Sequence, residues 1–143
     1  LCSTAGAIGG AESWNARISA VHTSGIPSIA VALVERWFSR EFLRNHPHDV
    51  ARLRAVLERT SAEGYASCCA AIRDYDARPE IAAIRLPTLV IAATHDVSTP
   101  PPDGHFIADR VPGARYVELD AGHISNVEQP TEFLAALVGH LTA

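Results

Sequence analysis

The stretch LVIAATHDVSTPP, residues 89–101, decides the fold. It opens on an unbroken apolar run, which with Pro87 and Thr88 predicts a strand over residues 87–93. An apolar run without alternation marks a strand buried on both faces, the kind found in parallel sheets covered by helices. Asp96 comes directly after it, and the proline pair Pro100-Pro101 then suits the opening of a helix. A second stretch repeats the design. ARYVEL at residues 114–119 predicts a strand, and DAGHISNVEQP at residues 120–130 carries His123 just past it. Each strand thus delivers one chemically active side chain into the turn at its carboxyl end, where open α/β sheets collect functional groups.

Outward from these strands, residues 100–110 read as a helix with Phe106 and Ile107 inward. Residues 130–141 read as a closing helix, with Pro130 at its first position and Phe133, Leu134, Leu137, Val138 and Leu141 along one face. Strand, helix, strand, helix is the signature of a parallel sheet with helices on its faces. Upstream the period changes. Trp14, Ile18 and Val21 fall at helical spacing within residues 12–23, and Ile29, Leu33 and Trp37 do so within residues 27–37. Pro47 opens a further helix with Val50, Leu53 and Leu57 on one face. Ser61 suits the N-cap of another, striped by Tyr65, Cys68, Ile72 and Tyr75. Residues 1–5 read as the end of a strand, before a glycine-marked turn at residues 7–10. The expected organisation is therefore residues 1–11 as the end of a core strand and entry turn, 12–78 as a helical unit, and 79–143 as α/β core. Two strands cannot bury helices on both faces, and the first would keep a bare apolar edge, so further sheet is expected from elsewhere.

Composition narrows the function classes. The 143 residues suit one domain, and 48% hydrophobic with 20% charged residues is ordinary for a globular chain. A net charge of −4 with no Lys/Arg run argues against a nucleic-acid partner. No apolar stretch reaches the roughly 18–20 residues of a membrane span, and no signal peptide is evident at the start. Cys2, Cys68 and Cys69 are expected to be free thiols in a reducing compartment, hence the cytoplasm. His46-Pro47-His48 is a weak metal motif, because the intervening proline and the surroundings do not build a ligand set. The chain has no methionine and opens on Leu1-Cys2-Ser3-Thr4, which suggests the middle of a fold, cut after a strand.

Asp96 and His123 carry the chemistry. A carboxylate beside an imidazole fixes its tautomer and stabilises the imidazolium that forms when the ring takes a proton. The imidazole can then act as general base towards a hydroxyl and as general acid towards a leaving group. Taken singly, Asp96 also suits a plain turn or helix cap, and His123 a surface loop histidine. Together, each stands on the right element in the right order. Gly122 permits a tight turn that a side chain would obstruct. His95 adjoins Asp96 but would point elsewhere, and is expected to be non-catalytic.

With these residues in view, the whole chain resembles the α/β-hydrolase superfamily. More narrowly it is similar to the 3-oxoadipate enol-lactonases. The matching stretches are LCSTAGAIG at residues 1–9, ESWNAR at 12–17, VERWF at 34–38, GYASCCAAIRD at 64–74 and YVELDAGHISNVEQP at 116–130. The fold so implied is α/β: a helical cap followed by the last two strands and helices of a doubly wound, mostly parallel sheet. It is the C-terminal part of an α/β-hydrolase fold, incomplete without an N-terminal half. In such hydrolases the nucleophile lies on Gly-x-Ser-x-Gly, and the triad runs Ser, Asp, His along the chain. That motif occurs nowhere in these residues.

The resemblance implies hydrolysis of a small carboxylated enol-lactone to 3-oxoadipate in aromatic catabolism. Asp96 and His123 would be catalytic, no cofactor or metal would be needed, and the serine would come from an N-terminal half. That half would be a separate chain or a clipped segment, and residues 1–143 alone would be inactive. A carboxylate substrate in a partly closed site needs a cation, because an unpaired buried charge is costly. Arg36, beside Trp37 as an apolar wall, and Arg73 are the candidates for binding it; an arginine fork grips a carboxylate through two bonds. The alternatives are a general esterase or cofactor-free haloperoxidase of the same superfamily, or a non-catalytic assembly module.

Overall fold

The computed structural model describes residues 1–142; residue 143, the end of the expected core segment, lies outside the described residues. The chain divides into two compact units. The sheet unit holds residues 1–6, 36–39 and 76–142, and the helical unit holds residues 7–35 and 40–75. Residues 36–39, which sequence periodicity assigns to the helical stretch, group with the sheet.

The helical unit is built from α1 (Ala11–Ser24), most of α2 (Pro27–Trp37), α3 (Arg40–Asn45), α4 (Pro47–Glu58) and α5 (Ala62–Asp74). Gly25 ends α1 at φ 74°, a left-handed backbone that glycine adopts without penalty. Ser61 caps α5 as expected, its hydroxyl accepting the Gly64 N–H at 3.2 Å. Trp14, Val21, Ala66 and Cys69 are the buried residues of α1 and α5. The short α3 is not foreseen from sequence, since six residues give too little periodicity to detect.

In the sheet unit β1 (Leu89–Ala93) and β2 (Arg115–Leu119) pair in parallel, Leu89 opposite Arg115 through Ala93 opposite Leu119. β1 is buried along its whole length, as its unbroken apolar run requires. α6 (Pro101–Ala108) connects the strands, a single turn α7 (Ser125–Glu128) follows β2, and α8 (Pro130–Leu141) closes the chain. β1 points alternate residues to opposite faces. Leu89, Ile91 and Ala93 join Leu119, Ala121 and Val117 beneath Phe133 and Ala136 of α8. Val90 joins Ile107, Val111 and Ile81 with Phe106 and Tyr116 on the other face. The unit is thus three layers, helix on sheet on helix.

Three expectations are corrected here. The edge of β1 is not bare along its first residues. Leu1 accepts the Ile91 N–H at 2.8 Å, its own terminal amine donates to the Leu89 carbonyl at 2.7 Å, and the Ser3 N–H donates to the Ile91 carbonyl at 3.0 Å. The strand expected over residues 1–5 is only a parallel bridge at Cys2, because Ser3 turns left-handed at φ 42° and leads the chain off the sheet. The face assigned to α8 is also narrower than its apolar stripe. Leu134, Val138 and Leu141 are exposed, and the contacts to the sheet come from Phe133 and Ala136. Two paired strands offer too little surface to cover the full stripe. No helix of the described residues is long and apolar enough to cross a membrane.

Candidate active site

The parallel register brings the two turns together. Beyond Ala93 and Leu119 the strands stay linked, the Thr94 N–H donating to the Leu119 carbonyl and the His95 N–H to the Ala121 carbonyl, each at 2.9 Å. β1 then turns, the Asp96 N–H donating back to the Ala93 carbonyl at 3.1 Å, and the Asp96 carboxylate comes to face His123. His123 Nδ1 lies 2.7 Å from Asp96 Oδ2.

Asp96 is fully enclosed, and its carboxylate is fully used. Oδ1 accepts the backbone N–H groups of Ser98 at 2.7 Å and Thr99 at 3.0 Å, while Oδ2 accepts the Thr99 hydroxyl at 2.8 Å as well as the imidazole. Burial pushes its pKa up, but the hydrogen bonds from His123 and from Thr99 outweigh that and hold it below the ordinary carboxylate value. Ionised, Asp96 can only accept, so Nδ1 of His123 carries the proton and donates. That leaves Nε2 with a lone pair and, among the described residues, no hydrogen-bond partner. The His123 side chain is 23% exposed against 0% for Asp96, so the ring can be reached while its orienting carboxylate cannot. This is a base held in one tautomer by a buried acid.

Gly122 is required by close approach. A Cβ there would meet the Phe38 Cα and carbonyl carbon at 2.7 Å. The expectation of a turn that tolerates no side chain thus has a named obstacle, the backbone of residue 38. His95 points away from Asp96 and pairs with Asp120 at 2.8 Å on the surface.

The other candidates fall in different places. Arg36 is exposed; its Nη2 donates to the Val97 carbonyl at 3.2 Å, beside the turn that follows Asp96, and it pairs with no carboxylate among the described residues. Trp37 is half-buried and its carbonyl accepts the Ile124 N–H at 3.0 Å, next to His123. Arg73 belongs to the helical unit, where its fork is closed on Asp74 through two 2.7 Å bonds and on Asn15 through a third. His46 stacks on Phe42 and lies 3.9 Å from Asp49; among the described residues no group of His, Cys, Asp and Glu is arranged to hold a metal.

No protein-family model matches the chain. A 3-oxoadipate enol-lactonase of Acinetobacter baylyi is 41% identical to it over 133 residues, which cover 93% of this chain and 50% of that protein. A second enol-lactonase of that organism is 34% identical over 90% of this chain and 48% of its own length. The crystal structure of the enol-lactonase from Burkholderia xenovorans superposes with a TM-score of 0.97 at 43% identity, covering 100% of this chain and 55% of that one. The fold is the C-terminal part of an α/β-hydrolase. The chain spans about half the length of the curated relatives it matches.

Within this α/β-hydrolase fold, Thr99, which serves Asp96 twice, escaped the sequence reading. Its signal is the Asp-x-x-Thr spacing of residues 96–99, a turn pattern in which a carboxylate binds amides two and three residues on. Glu128 was missed as well. Its carboxylate accepts the N–H groups of Gly122 and Ser39, which are brought together only by the fold.

Proposed function

We propose that this chain supplies the acid–base pair of a serine-type ester hydrolase, and that the hydrolase is a 3-oxoadipate enol-lactonase of the β-ketoadipate pathway. The observation that carries this is His123, locked by Asp96 through Nδ1 and open at Nε2. The nucleophile is a serine outside residues 1–143, on a serine-bearing segment that completes the sheet. Sequence identity of 41% with an enol-lactonase along 93% of the chain supports the substrate class. No cofactor enters the scheme. Three cysteines without a disulfide suit a reducing compartment, and our reading is a cytoplasmic enzyme.

The chemistry follows from the geometry. Nε2 takes the serine proton as the oxygen attacks the lactone carbonyl, and Asp96 stabilises the imidazolium. Collapse of the tetrahedral adduct breaks the ring C–O bond, and Nε2 returns the proton to the departing enol oxygen. Water then attacks the acyl-enzyme, giving its proton to Nε2, which passes it to the leaving serine. The ring-opened enol becomes the oxo acid. Arg36 is the fitting anchor for the substrate's carboxylate, with Trp37 beside it, since its fork is free of carboxylates. Arg73 would first have to leave Asp74 to serve in this way.

The test is reconstitution. Residues 1–143 alone are expected to show no turnover, and addition of a serine-bearing half is expected to restore enol-lactone hydrolysis. His123→Ala should abolish the restored rate, and Asp96→Asn should lower kcat by about 10⁴-fold through the wrong tautomer. A correctly assembled pair that hydrolyses neither enol-lactone nor simple ester overturns the proposal. Preference for uncharged esters over carboxylated lactones would retain the hydrolase and remove the lactonase.

A further inference from the structure

His123 has a tethered residue on each side. The Ile124 N–H donates to the Trp37 carbonyl at 3.0 Å. The Gly122 N–H donates to Glu128 Oε2 at 2.6 Å. The same carboxylate takes the Ser39 N–H across both oxygens, at 3.2 and 3.1 Å. Glu128 therefore joins two segments far apart in the chain, the turn that carries His123 and residues 37–39. The fit is tight on both sides, because a Cβ on Gly122 would stand 2.7 Å from the Phe38 backbone and 2.8 Å from Glu128 Oε2.

Local structure aims this carboxylate. α7 is a single turn, closed by the Glu128 N–H on the Ile124 carbonyl at 3.2 Å, and it folds the chain back so that residue 128 faces residue 122. Hydrogen bonds to an ionised acceptor are about twice as strong as those between neutral groups. No hydrogen bond of Glu128 goes to the imidazole or to Asp96 among the described residues. Its effect on the imidazole passes through the backbone.

We infer that Glu128 is a positioning residue, whose carboxylate pins the His123 turn against residues 37–39 and so sets where Nε2 stands. The inference rests on the hydrolase proposal only for its kinetic readout. Its structural readout, the Nδ1–H of His123, exists whether or not the chain is an enzyme.

The experiment uses this chain assembled with a serine-bearing half, comparing wild type, Glu128→Ala and Glu128→Gln, with His123→Ala in parallel. The low-field Nδ1–H proton of His123 is followed by NMR, and kcat and KM are measured separately. In folded Glu128→Ala the Nδ1–H signal should weaken or shift. Its kcat should fall on the order of 10²-fold with KM unchanged, as a small misplacement of a reacting group does. Glu128→Gln keeps the side-chain length and one acceptor oxygen, so it should fall between the two and serves if the alanine variant does not fold. A merely stabilising role predicts a lower melting temperature with an unchanged Nδ1–H signal and unchanged kcat in the folded fraction, and that result overturns the inference. Activity lost in His123→Ala but intact in both Glu128 variants also overturns it while leaving the hydrolase standing. Activity that survives His123→Ala overturns the hydrolase proposal itself.

Discussion

Asp96 accepts four hydrogen bonds on two oxygens, and only one of them comes from the residue it orients. The other three hold the carboxylate still, so the imidazole meets an acceptor that cannot turn away. Such a carboxylate links stability to pH. Its pKa is depressed in the fold, so its stabilisation is fully present above the ordinary unfolded value of about 3.9 and is lost as pH falls through the lower folded value. Unfolding in urea at a series of pH values should show wild type losing more stability between about pH 5 and pH 2 than Asp96→Asn does. Parallel curves for the two would mean that the enclosure of Asp96 contributes nothing. Asp76, held down to about 2 by Arg78, acts in the same direction from the exposed surface, where solvent screening leaves it little weight; it cancels in the comparison. At this scale the sequence was informative about identities, since Asp96 and His123 are read from their places after strands. It said nothing of Glu128, because a carboxylate that binds backbone amides leaves no pattern of partner side chains.

At the scale of elements, the apolar runs and the helical stripes placed most boundaries well. β1, α2, α4, α5, α6 and α8 stand within a residue or two of expectation. α3 and α7 are too short for periodicity to show. α6 lies close on the sheet because Gly104 leaves room: a Cβ there would stand 3.1 Å from the Ala92 Cβ and 3.2 Å from Tyr116 Cε2. Gly104→Val should therefore destabilise the chain by about 1–3 kcal/mol through overpacking. Chemical denaturation should show a lower midpoint with an unchanged slope. A midpoint at or above wild type would mean that α6 can shift outward freely. The stripe of α8 shows the opposite limit of pattern reading. Leu134, Val138 and Leu141 repeat like buried positions but are exposed, since periodicity reports an apolar face and not the surface available to cover it.

At the scale of the whole molecule, residues 1–3 complete what β1 and β2 begin. Leu1 and Ser3 satisfy β1 through Ile91, on the side away from β2. Deleting residues 1–3 should speed hydrogen exchange at the Ile91 amide by at least about tenfold, since a local opening then suffices to expose it. The Thr94 amide, bonded to Leu119, should keep its protection. Equal protection of Ile91 with and without the segment would show that this pairing adds no stability to the sheet. What the sequence alone determined is local: strands from unbroken apolar runs, helices from their period, and an acid and a histidine each placed just after a strand. What only tertiary structure decided is which of these meet. Pairing of the two strands sets Asp96 beside His123, the helical unit gives Arg73 a bond to Asn15, 58 positions away, and hydrogen bonds to Ile124 and Glu128 hold residues 37–39 against the histidine turn. The physical reason is range. Propensity and periodicity act over a few residues, whereas a hydrogen bond between residues 27 or 89 positions apart forms only after the backbone has folded, and nothing in the chain's local pattern records its partner.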